Sequence, residues 1–351
     1  MLKSNRIEWL DLSKGIGIIL VIFGHCINYG SVWCRLIFTF HMPLFFLLSG
    51  YVFSDRYEFV TLAKKKAKSL LVPFFAFFLM GLAATLIIPT WRGGLSLGDL
   101  WNDLLFANPN AVHNSSIWFL MCLFLVTLLF WLIKRFSFGV QPIVLLLFYS
   151  FGVLYAKFRM LPGLPDRLPL DIDVMTVAVC FFAVGYYFRK SDAIGILYGN
   201  GNSADAGDNK VMLVKCTNGL VISAILTVTV CYTNGSVNLH GLTFRNPVLY
   251  LVGGLSGSLA VVVFAVIVSS FTHPAFAWIK SVLLWYGRHS LIILGFQSLL
   301  IRTYIKVCEN FFGTHLFLYF FPPKHAVISS VLTAFLLCPA ICFLIDGAKK
   351  G

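Results

Sequence analysis

Two histidines stand inside apolar stretches early in the chain: KGIGIILVIFGHCINYG reads as a membrane-spanning helix with His25 near its middle, and FTFHMPLFFLLSGY holds His41. Imidazole is the side chain best able to move protons near neutral pH, as a base, a relay or a transient acyl acceptor. Ionisable groups within spanning segments are costly and usually functional. Lys14 precedes His25 by eleven residues, close to three helical turns, so the two share a face about 16 Å apart along the axis. Gly17, Gly24 and Asn28 share that face, and small residues there let a neighbouring helix approach. Lys14 is expected at a cytosolic rim and His25 in the bundle interior, lining one tunnel. The next helix runs back, which puts His41 about 17 Å from the cytosolic face, at a depth similar to His25. Each histidine also has a plainer possible role, bonding a backbone carbonyl or tuning packing.

Other polar residues extend this chemistry. Lys64, Lys65, Lys66 and Lys68 lie just before a helix expected to begin near Pro73. They are either ordinary cytoplasmic charge or a cradle for an anionic ligand such as nucleotide phosphates. Arg288, if Ser281–Ile301 spans, lies about two turns in from the cytosol. Whether it does so or follows a re-entrant piece ending at Gly287, it can hold a phosphate or carboxylate near the inner mouth. Asp171 and Asp173 open another span, as solvated interface residues or as groups that orient a hydroxylated acceptor or a histidine. Trp118 fits an aromatic belt or a platform for a sugar. The nine cysteines include no C-x-x-C pair and no zinc-like Cys/His spacing, so no metal is expected. No Gly-x-Ser-x-Gly elbow occurs, which leaves histidine to carry any reaction.

The elements that must position these groups are membrane helices. Of 351 residues 59% are hydrophobic and 12% charged, with mean hydropathy +0.86, far from the balance of a soluble domain. An all-α, polytopic protein is expected, a single membrane-embedded domain over 1–351. About ten transmembrane helices are expected in one bundle: Gly15–Gly30, Leu36–Phe53, Leu70–Thr90, Ser116–Ile133, Gly139–Tyr155, Ile172–Phe188, Val211–Tyr232, Val248–Ser270, Ser281–Ile301 and His325–Ile345. Asn5 and Glu8 are placed to cap the first helix, and Glu8 and Asp11 argue against a cleaved leader. With this count, 17 of the 27 Lys and Arg residues fall inside, nine outside and Arg288 within a span, so both termini are expected in the cytoplasm. The net charge of +13 is therefore topological, and a nucleic-acid partner is not expected. The polar tract at about 191–210 is expected to be a flexible cytoplasmic loop.

The stretches IEWLDLSKGIGIILVIFGH and FHMPLFFLLSGYVF together resemble the first two helices of the acyltransferase 3 family of integral membrane acyltransferases, in its fucose 4-O-acetylase-like branch. The family's basic-residue-x10-His pattern falls on Lys14 and His25, and its Phe-His-Met-Pro…Ser-Gly stretch on His41, Pro43, Ser49 and Gly50. LLVPFF, WFL at Trp118, FFAVGYYFRK and YGRHSLIIL follow in family order. The resemblance implies a lipid-bilayer protein using acetyl-CoA as cytosolic donor and a sugar hydroxyl of a surface or secreted glycan as acceptor. It also implies an essential His25 and a donor-side Lys14. Two features depart: Lys65, Lys66 and Lys68 stand where relatives often carry arginines, and Gln297 where they often carry a histidine. The expected activity is a multi-pass O-acetyltransferase of the cell (inner or plasma) membrane. Its rival is a proton-coupled transporter for a glycan or small acid, using the same histidines.

Overall fold

The structure, a computed structural model, describes residues 7–27, 30–88, 91, 95–192, 206–271, 273–312, 335–336 and 339–343. Among these residues the regular structure is helical: α1 (Glu8–Cys26), α2 (Val32–Tyr51), α3 (Phe59–Ile87), α4 (Leu97–Leu105), α5 (Trp118–Ile133), α6 (Gln141–Phe158), α7 (Ile172–Lys190), α8 (Ala206–Asn234), α9 (Pro247–Ser270), α10 (Pro274–Arg288) and α11 (Ser290–Phe312). Eight of the described helices are long and apolar enough to cross a membrane, which makes this an all-α polytopic membrane protein. They correspond to the first eight expected segments.

Four expectations are corrected at the level of elements. First, α1 begins at Glu8 behind Ile7, whose side chain caps nothing, and it ends at Cys26; Asn5 lies outside the described residues. His25 therefore sits in the last turn of its helix and not near the middle. Second, Lys64–Lys68 are not in a loop before a helix. They ride on α3 itself, which runs through them and takes a π turn at Ala67–Leu71 before Pro73. Proline is tolerated there because its missing N–H falls where the α-ladder is already offset. Third, the segment Ser281–Ile301 is two helices meeting at His289, with α10 ending on Arg288. Gly287, a poor helix former, stands at the bend. Arg288 is thus at a helix junction and not within a span. Fourth, the loop at 191–210 is shorter, since α8 starts at Ala206; residues 193–205, and most of His325–Ile345, lie outside the described residues.

Apolar side chains give spanning helices little reason to prefer each other over lipid, so close backbone packing has to hold them together. Here α2 is the hub. A Cβ on Gly50 would fall 1.9 Å from the Phe182 carbonyl of α7, and one on Gly185 of α7 would fall 1.9 Å from the Leu47 carbonyl of α2. The two glycines thus face each other's backbone reciprocally. On another side, Gly254 of α9 receives the ring of Pro43, and Gly257 receives Phe40. Gly17 and Gly24 of α1 meet Leu44, Phe45, Ile37 and Phe38 of α2, as their spacing predicts. A second reciprocal pair joins α1 to α10: Gly15 against the Leu283 carbonyl and Gly287 against the Asp11 carbonyl. Glu8 pairs with Lys280 across the same seam at 2.6 Å.

Gly50→Ala should therefore force α2 from α7 and cost about 1–3 kcal/mol or more as overpacking. Gly219→Ala, where a Cβ meets nothing within 4 Å, should be neutral or slightly stabilising. Thermal unfolding of the two purified variants in detergent checks the contrast.

Candidate functional site

A cavity of about 220 Å³ lies where the outer halves of α1 and α2 meet two loops, the one before α5 and the one before α9, and both His25 and His41 line it. His41 is buried, and its Nδ1 lies 2.9 Å from the Ile37 carbonyl one turn back. A carbonyl only accepts, so Nδ1 carries the hydrogen of a neutral ring and Nε2 keeps a lone pair. His25, at the end of α1, is exposed to the cavity. The two imidazoles are bridged by the ring of Phe38, with centroids 6.0 Å from His25 and 4.7 Å from His41, and not by a hydrogen bond. The guanidinium of Arg302 on α11 lies within electrostatic reach of His25.

Adjoining cavities extend in both directions from this chamber. Toward the end of the bundle that charge assigns to the cytosol, a cavity of about 210 Å³ shares Val21, Met42 and Leu294 with it and is mostly apolar. Lys14 and Ser49 stand at its far end. It shares Lys14, Ser290 and Leu291 with an inner cavity of about 440 Å³, where Arg288 and Asp11 also face in. Lys14 lies 3.8 Å from Asp11. Lys14 and Arg288 are thus brought to one mouth. The Lys65, Lys66 and Lys68 cluster lines none of these cavities. Lys65 covers the Tyr57 ring at 3.7 Å, Lys68 is exposed, and half-buried Lys66 sits one turn before Leu70, which lines the apolar cavity.

On the other side, Asn108 and Asn110 are shared with an outer cavity of about 310 Å³ that Asp103, Asp166 and Arg167 border. Asp103 shapes this loop by accepting the backbone N–H groups of Asn110 and Val112 at 3.1 and 3.2 Å. Burial nevertheless raises its carboxyl above the usual range. Asn114 ties the same loop down by donating to the Phe77 and Gly295 carbonyls.

Asp171 and Asp173 are fully buried, which overturns the solvated-interface expectation. Neither lines the cavity. Asp171 accepts from Arg167 Nη2 at 2.6 Å, and Asp173 lies 4.0 Å from Arg167 Nε. Arg167 in turn meets His240, whose ring stacks on Trp118 with centroids 4.5 Å apart and planes 16° apart. Trp118 and His240 both line the histidine cavity. Sequence reasoning missed Arg167 and His240. The signal was Arg167 four residues before Asp171, one helical turn of charge at the opening of a span, but nothing local tied it to a histidine 73 residues later. Gln297 is fully buried one turn beyond Leu294, with neither amide atom hydrogen-bonded among the described residues.

Residues 7–346 match the family model described as an acyltransferase domain, Acyl_transf_3. Shorter stretches are similar to nodulation protein NolL from two organisms. The match to the Mesorhizobium japonicum protein is 29% identical over 149 residues, 38% of this chain and 38% of that one. The match to the Sinorhizobium fredii protein is 37% identical over 83 residues, 20% of this chain and 23% of that one. The chain thus spans well under half the length of these curated relatives. Because the family model runs through every spanning helix that builds the cavities, the chain belongs to the acyltransferase 3 family of integral membrane proteins.

Proposed function

We propose that this protein is a membrane-bound O-acetyltransferase of the cell membrane, moving an acetyl group from cytosolic acetyl-CoA to a sugar hydroxyl of a surface or secreted glycan. The observation that carries the reading is the run of adjoining cavities from a cationic mouth at Lys14 and Arg288 to the chamber of His25 and His41. The donor's phosphates match the charge at the mouth, with Lys65, Lys66 and Lys68 adding to the positive field around it. Its pantetheine arm is narrow and uncharged, which suits the apolar middle cavity. The thioester then reaches the His25 chamber.

There His25 takes the proton from the acceptor hydroxyl as its oxygen bonds to the acetyl carbon. The carbon–sulfur bond breaks, and the CoA sulfur leaves and recovers a proton. A base in such a position is worth about 10²–10⁴-fold in rate. His41, held by the Ile37 carbonyl with its lone pair outward, is a fixed acceptor beside this reaction and orients the reacting groups across Phe38.

His25→Ala should lower acetylation by at least about 10²-fold while the protein still inserts and accumulates. Mass spectrometry of surface glycans, from cells whose single copy carries the change, reads this directly; full acetylation in that strain would end the mechanism. CoA should raise the thermal stability of the purified wild-type protein. Lys14→Met and Arg288→Ala should each weaken CoA about tenfold, the scale of one charge-assisted hydrogen bond. Melting temperature against CoA concentration gives the comparison, and an unchanged dependence in both variants would detach this mouth from the donor.

A further inference from the structure

The chamber wall facing the outer cavity is polar, unlike the mostly apolar cavity on the inner side. It comprises Asn238, Leu239 and His240, which open the tight loop from Asn238 to Thr243, together with Asn108, Asn110 and Ser116. The loop closes on itself: Asn238 and Thr243 exchange backbone hydrogen bonds at 2.8 and 3.0 Å, and the Gly241 N–H donates to Asn238 Oδ1. Its position is imposed from a different part of the chain. Arg167 donates to the His240 carbonyl at 2.9 Å and Arg159 to the Gly241 carbonyl at 3.0 Å. Two fully buried carboxylates anchor Arg167, with Leu170 and Asp171 both held in the left-handed region at φ 57° and 58°. Such conformations are costly for residues with side chains, and they persist where the surroundings enforce them.

This apparatus fixes one imidazole edge. His240 Nε2 lies 3.0 Å from Arg167 Nη1 and 3.4 Å from Asp171 Oδ1; the guanidinium is the nearer and can only donate, so Nε2 accepts from it and Nδ1 carries the hydrogen. Trp118 sets the plane of the ring. With Nε2 taken, Nδ1–H is the donor left for a ligand. In the same lining Ser116 Oγ is buried and has no hydrogen-bond partner among the described residues. The described lining of the chamber contains amides, hydroxyls and imidazoles and no Asp, Glu, Lys or Arg. Behind the wall the carboxylates of Asp171 and Asp173 are matched by the guanidiniums of Arg167 and Arg159, so no net charge there calls for an ionic ligand.

We propose that this wall is the acceptor subsite, that it takes an uncharged, hydroxyl-rich sugar ring, and that His240 Nδ1–H binds that ring. Asp171, Asp173 and Arg167 are then positioning residues and do not touch the acceptor. The inference rests on the acetyl-transfer reading, and its test separates the two. Purified full-length protein in nanodiscs is given acetyl-CoA and either methyl α-L-fucopyranoside or methyl β-D-glucopyranosiduronic acid. Wild type should acetylate the neutral glycoside in preference to the acid. His240→Ala should raise the KM for the neutral glycoside about tenfold, the effect of losing one hydrogen bond in a desolvated site. The KM for acetyl-CoA and the CoA-induced rise in melting temperature should stay as in wild type. His240→Gln, which keeps an N–H donor, should recover part of the loss. Equal use of the acid, an acceptor KM within twofold in His240→Ala, or acetyl-CoA binding with neither glycoside acetylated would each overturn the subsite. If CoA fails to stabilise the wild-type protein, the transferase reading itself is what falls.

Discussion

The site depends on α2 being held backbone to backbone. Gly50 and Gly185 place the carbonyls of α7 and α2 where side chains would otherwise stand, and the glycines of α9 accept Pro43 and Phe40 on the adjacent face. In lipid there is no water to expel from between helices, so the strength of the bundle comes from such contact. The contact leaves α2 no freedom to rotate. His41 is therefore fixed in direction by the packing of its helix and in tautomer by the Ile37 carbonyl. The Ser49-Gly50 pair of the second helix has a physical reason in this light: Gly50 seats α7, while Ser49 faces the apolar cavity.

The same constraint explains what was legible in the sequence. Periodicity within a helix is a local property, so Lys14, His25, Gly17 and Gly24 could be placed on one face from spacing alone. The short turn from α1 to α2 brought His41 to the same chamber for a similar reason. Apolar length alone marked the first eight spans, because the bilayer sets that length. Helix ends are less determined. His25 was expected mid-helix because the apolar run continues past it, yet α1 stops at Cys26, and Gly30 turns the chain at φ 93°. The bend at Gly287 was invisible for the opposite reason: hydropathy runs straight through it, and only the contact with the Asp11 carbonyl marks it.

The outer wall was the least legible part. Asp171 and Asp173 stood out as acids at the edge of a span, but edge position gave no hint that they were buried. Their partner Arg167 was counted as an ordinary outer charge. His240 lies in a polar loop where a histidine draws no notice. Pairing of this kind is long-range, set by which loops the bundle gathers over one opening, and no period in the sequence encodes it.

The proposed reading gains force from how charge is distributed along the cavities. The cationic groups Lys14 and Arg288 face the inner mouth, the middle cavity is apolar, and the described lining of the chamber carries no formal charge. A polyanionic donor is thus favoured where it enters and opposed from moving further, since carrying its phosphates into an apolar cavity costs far more than any contact there returns. Only the uncharged arm can advance, which sets how deep the thioester goes. From the other side, a neutral acceptor meets a wall of amides and an imidazole and finds nothing that would hold it at the inner mouth. Two reactants can then approach one imidazole from opposite ends without exchanging places, and the apolar segment between the mouth and His25 is what keeps them apart.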